Sequence, residues 1–178
     1  MQEMQEPQTL QKSSRLTVVL LRVFLSVFTA AYACWIFSNS LQNATDSSAS
    51  SGRVLSAVQS CVDVLVGEGN VVVSDHCVRK SAHFCEFALL GFLCFYTFVS
   101  YFFSLKRPKL VCFITASFST FFVAAADETI QLFVEGRYAS PLDVLLDFGG
   151  GVSGSVFALL TFLLVLALKC KKKNIRNR

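Results

Sequence analysis

Four long apolar stretches constrain this chain more than any other feature: Leu16 to Phe37, Ala82 to Phe103, Leu110 to Ala126 and Phe148 to Leu168. Each approaches the roughly 20 helical residues that a hydrocarbon layer requires. They lack the in/out alternation of barrel strands, and an unpaired backbone in lipid is too costly, so helices remain. Hydrophobic residues make up 53% of the chain and charged residues 16%, which excludes a disordered, a collagenous or an ordinary water-soluble protein. The expected fold class is all-α, an integral membrane bundle of four transmembrane helices over residues 16–168. A tail at 1–15 precedes it and a basic tail at 169–178 follows.

The positions of Lys and Arg orient the bundle. With both termini and the loop Lys106-Arg107-Pro108-Lys109 in the cytoplasm, that side holds twelve cations against Glu3 and Glu6. The other four cations, Arg53, Arg79, Lys80 and Arg137, lie outside with ten acids, a balance of +10 inside and −6 outside. All three cytoplasmic segments agree on an N-in, C-in arrangement. Lys12, Arg15 and the run to Ala31-Tyr32-Ala33 also resemble a secretory signal. Arg22 interrupts that run and the leading segment is long, so an uncleaved anchor is expected, with Arg22 reaching the inner head groups. The tail Lys169 to Arg178 reads as a topology signal with affinity for anionic lipid, and no nucleic-acid partner is expected because no aromatic residue interleaves it.

The first extracytoplasmic loop opens with a Ser/Asn/Thr/Asp-rich stretch, Ser38 to Gly52, expected to be irregular. Then Val54, Leu55, Val58, Cys61, Val62, Leu65 and Val66 recur at helical spacing. This predicts an amphipathic helix, lying on the outer leaflet or capping the bundle. Of seven cysteines, Cys34, Cys85, Cys94 and Cys112 fall in spans, and only Cys61 and Cys77 are placed to form a disulfide. No C-x-x-C pair occurs, no zinc motif is present, and no cofactor or metal site is expected from motif; Glu86, Glu128, Asp143, Asp147 and His83 nonetheless offer hard ligands for a divalent cation, without the paired Glu-x-x-His repeats of di-iron bundles. The Phe-rich runs Phe92 to Phe103 and Phe113 to Phe122 read as lipid-facing.

Charged groups near membrane depth are expensive and demand explanation. The second span opens with Arg79, Lys80, His83 and Glu86, and helical spacing sets Arg79, His83 and Glu86 on one face. The third ends in Asp127, Glu128 and Gln131. A turn-prone link carrying Gly136-Arg137 and Ser140-Pro141 leads to a fourth helix beginning near Asp143, whose carboxylate suits the positive helix start, with Asp147 a turn later. Gly150 or Gly151 and then Gly154 continue that face, allowing a neighbouring backbone to approach, so Asp143 and Asp147 are expected to point into the bundle. The candidate ligand-binding set is therefore Arg79, Lys80, His83, Glu86, Asp127, Glu128, Gln131, Arg137, Asp143 and Asp147.

These residues, written Arg79-Lys80-x-x-His83-Phe84-x-Glu86-Phe87-x-x-Leu90-Gly91, Asp127-Glu128-x-x-Gln131-x-Phe133-x-x-Gly136-Arg137 and Asp143-x-x-x-Asp147-x-x-Gly150, resemble the VanZ-like family of bacterial membrane proteins. The resemblance covers roughly Ser38 to Leu168. It implies a multi-pass protein of the bacterial plasma membrane, and the family's namesake is associated with low-level resistance to the glycopeptide teicoplanin. It supplies no biochemical activity. Family members often carry His just before the glutamine, where this chain has Ile130, so a mechanism needing two histidines there is in doubt.

Three readings of the polar cluster stand side by side. In the first, Arg79, Lys80 and Arg137 clamp the phosphate or carboxylate of an envelope molecule, such as a lipid-linked wall precursor, an anionic lipid or a glycopeptide, and no turnover is required. In the second, His83 is a general base oriented by Glu86, Glu128 or Asp143, acting on a lipid phosphate or wall precursor, although no activated Ser or Cys nucleophile is evident. In the third, the groups form a self-satisfied network that fixes helix register. A transport path through four spans would need a second copy of the chain, which makes a homodimer a candidate assembly, and no inverted repeat is visible.

Overall fold

A computed structural model describes residues 8–42, 44–67, 72–102 and 109–176. Glu3, Glu6, the loop residues Lys106, Arg107 and Pro108, and Arg178 lie outside the described residues. Five helices follow one another: α1 (Gln8–Ser40), α2 (Ala44–Val66), α3 (Asp75–Phe102), α4 (Lys109–Gln131) and α5 (Pro141–Arg176). Four of them, α1, α3, α4 and α5, are long and apolar enough to cross a membrane, and no strand occurs among the described residues. The helices outrun the apolar stretches that announce them. α3 begins at Asp75, seven residues before Ala82, and α4 carries Asp127 to Gln131 as its last turn.

The stretch Ser38 to Gly52, expected to be irregular, is instead largely helical: α1 continues to Ser40 and α2 is already under way at Ala44. Ser and Thr weaken a helix without forbidding it, and no proline interrupts the segment. α2 presents Val54, Val58, Cys61 and Leu65 along one open groove, and Leu65 stays 82% exposed. Gln59 ties the helix to the segment after it, accepting from the Val73 amide at 2.8 Å. Cys61 and Cys77 are free thiols.

α3 and α5 form the most extensive pairing, α4 packs on both, and α1 lies against α3 and α4. The α3–α5 contact depends on absent side chains. A Cβ on Gly154 would stand 1.7 Å from the Ala88 carbonyl oxygen, and one on Gly150 2.4 Å from that of Phe84. Gly151 faces the other way, toward the Thr120 side chain of α4. Because position 150 meets 84 and 154 meets 88, the two helices run parallel and begin at the same end.

The core is small: Ile36, Phe87, Leu90, Phe95, Ala116, Ala124 and Ala158 are essentially inaccessible. Large apolar side chains cover the outside, among them Phe24, Phe118, Phe122, Phe157 and Leu164, a distribution suited to lipid rather than water. The Phe-rich runs thus divide. Phe118 and Phe122 face outward, whereas Phe95 is fully buried and Phe92 and Phe98 pack on the core. Arg22 also makes contacts within the bundle. Its Nε donates to the Ser100 carbonyl at 2.9 Å and its guanidinium lies over the Tyr101 ring, joining α1 to α3.

Candidate functional site

The parallel start of α3 and α5 sets the geometry, since α1 and α4 end where those two begin. α5 opens at Pro141, earlier than the Asp143 start read from sequence. Ser140 is its N-cap: its Oγ accepts from the Leu142 amide, its carbonyl accepts from Asp143 and Val144, and Pro141 occupies the first helical position, where an amide hydrogen is dispensable. Ahead of it, the Arg137 amide donates to the Val134 carbonyl across a turn whose third residue, Gly136, has φ 75°. That turn carries Arg137 back over the bundle end.

Around a cavity of about 220 Å³ at this end stand Arg79, Lys80 and His83 of α3, Glu128 and Gln131 of α4, Arg137, and Asp143 and Asp147 of α5. Eight of the ten residues singled out by sequence therefore share one wall. Lys80 pairs with Asp143, and Arg79 with Asp75 one turn back at 3.3 Å. Glu128 accepts from the Ser140 amide at 3.0 Å, tying the end of α4 to the cap of α5. Asp127 sits just behind the wall. Its Oδ2 accepts from Ser40 Oγ at 2.8 Å and from Gln131 Nε2 at 3.0 Å, and the residue is fully buried. Glu86, the tenth, faces a second cavity of about 560 Å³, where its Oε1 accepts from Asn39 Nδ2 at 3.4 Å. Its other oxygen is 3.8 Å from His83 Nδ1, too long for a hydrogen bond.

The second cavity is chemically unlike the first. Val54 and Val58 of α2 and Val78 and Ala82 of α3 wall it, while Arg79, His83 and Arg137 belong to both cavities. Arg137 forms no ion pair among the described residues, and its buried Nε has no hydrogen-bond partner. Burial, then the positive charge of Arg79, holds its guanidinium below its ordinary value, although the group stays protonated at any physiological pH.

Sequence reasoning missed the contribution of α1. Asn39 and Ser40 reach Glu86 and Asp127, and both stand in a polar Ser-Asn-Ser run that reads as the start of a loop when the helix end is placed at Phe37. His76 and Tyr138 also line the smaller cavity.

A family model described as VanZ/LLP1 matches residues 16–165 of the chain. No curated protein and no solved structure matches it.

Proposed function

The chain belongs to the VanZ-like family and is a membrane protein, and from that premise we propose that it is a multi-pass plasma-membrane protein, N-in and C-in, that binds an anionic envelope amphiphile at its outer end. The polar cavity takes the phosphate or carboxylate head, and the valine-lined cavity beneath α2 takes the first part of the apolar tail. A lipid-linked wall precursor has this chemistry, and handling it is the route by which the protein would contribute to glycopeptide tolerance.

The observation that carries this reading is Arg137, a guanidinium shared by the two cavities with its buried Nε unpartnered. An unsatisfied buried donor is costly, and a planar fork of charged N–H groups matches an anion's oxygens. The alternative of a self-satisfied network fits less well. Besides Arg137 Nε, buried atoms of His83, Asp127 and Asp147 also lack partners, whereas such a network gains stability only when its members are paired.

The test compares binding of a polyprenyl phosphate with that of the matching polyprenol to the purified full chain in detergent, read by ligand-dependent thermal shift. The phosphate is expected to bind at least about tenfold tighter, and Arg137→Ala to erase that difference, a loss of about ten- to hundredfold for a charged hydrogen-bonded contact. Equal affinity for both lipids in the wild type overturns the reading. Expressed in cells, the same variant should lose any teicoplanin tolerance that the wild type confers.

A further inference from the structure

At the inner wall of the polar cavity lies a tighter cluster of acids and imidazole. One nitrogen of His83 and one carboxylate oxygen each of Asp127 and Asp147 come within 4.8 Å of one another. The three side chains arrive from α3, α4 and α5, so no short sequence motif announces them. Asp127 is 0% and Asp147 2% exposed. In each, Oδ1 is buried without a hydrogen-bond partner, and so is His83 Nδ1.

We propose that these three side chains hold a divalent d-block cation of the manganese or zinc kind. Two buried carboxylates at this spacing repel each other unless positive charge lies between them. A proton shared between the acids would relieve that repulsion but would leave the imidazole nitrogen bare. A divalent cation satisfies all three residues at once.

The donor set narrows its identity. One imidazole nitrogen with two carboxylates suits zinc and manganese, whereas calcium takes six to eight oxygens and magnesium prefers oxygen ligands with several waters. Bonds of about 2.0–2.2 Å put neighbouring ligand atoms about 3–3.5 Å apart, so the side chains need to close in by an ångström or so around the ion. Asp127 is already oriented for this role. Ser40 and Gln131 hold its Oδ2, leaving Oδ1 to turn inward, which is how a ligating carboxylate is fixed by hydrogen bonds behind it. His83 and Asp147 also line the anion cavity, so the cation's remaining positions would open toward it.

The inference rests on the convergence of these three side chains and not on the amphiphile reading, and its test uses no lipid ligand. The full-length protein, purified in detergent and stripped with a chelator, is titrated with Mn2+ alone and followed by electron paramagnetic resonance, with Zn2+ as competitor. About one equivalent of Mn2+ per chain is expected, displaced by Zn2+. Asp147→Asn and His83→Ala should each weaken uptake more than tenfold. Ser40→Ala, which frees Asp127 without removing a ligand, should weaken it roughly tenfold, and Glu135→Gln on the exposed turn should leave it unchanged. Because substitution at the buried acids risks misfolding, metal-dependent thermal stabilisation of the wild type, reversed by chelator, is measured alongside. Folded wild type that takes up less than a tenth of an equivalent of either ion and shows no thermal shift overturns the proposal. So does an Asp147→Asn protein that binds Mn2+ as tightly as the wild type.

Discussion

Glu128 illustrates how a side chain read as a binding or catalytic candidate also carries structure. Its Oε2 receives the Ser140 amide at 3.0 Å in a nearly inaccessible position. Glu128→Ala should strip that amide of its acceptor and cost about 1–3 kcal/mol, while Glu128→Gln keeps an acceptor oxygen and costs less. Thermal unfolding of both variants in the same detergent checks the order, and equal losses would detach Glu128 from the cap. At this scale the sequence was most informative for charged groups, since Arg, His, Asp and Glu inside an apolar context stand out on cost alone. It was least informative for Asn39 and Ser40, small polar residues that occur in any loop and acquire meaning only once α1 extends to reach Asp127 and Glu86.

Among the helices, the α3–α5 pair is fixed by glycine. Gly154→Ala would force a methyl group to within 1.7 Å of the Ala88 carbonyl, so the backbones must separate, a strain of at least about 1–3 kcal/mol. Gly52→Ala, with nothing within 4 Å, is the matched control and should be neutral or slightly stabilising. A loss of folded yield in the first and not the second is the expected result. The glycine spacing was legible because four-residue periodicity on an apolar helix points to a backbone contact. The start of α2 was not legible, because a Ser/Thr/Asp-rich run has weak helix propensity and only its continuity with the valine-bearing turns makes it helical.

For the molecule as a whole, the ordering of charge along the chain makes the sharpest prediction. Cys77 lies at the start of α3 beside the cavities, and Cys170 within the basic end of α5. Both are exposed free thiols. In intact cells a membrane-impermeant maleimide should label Cys77 and spare Cys170 until the membrane is opened; the reverse pattern would invert the proposed orientation. The four long apolar helices were readable from composition because a hydrocarbon layer dictates length and polarity together. The meeting of the cluster at one end was only partly readable, because it depends on the parallel α3–α5 contact. The open face of α2 carries a last consequence. With Val54, Val58 and Leu65 exposed on one side and α2 packed on α3 on the other, the roof of the larger cavity presents an apolar face suited to the surface of a bilayer. A guest whose tail fills that cavity would then enter sideways out of the lipid rather than down from the water.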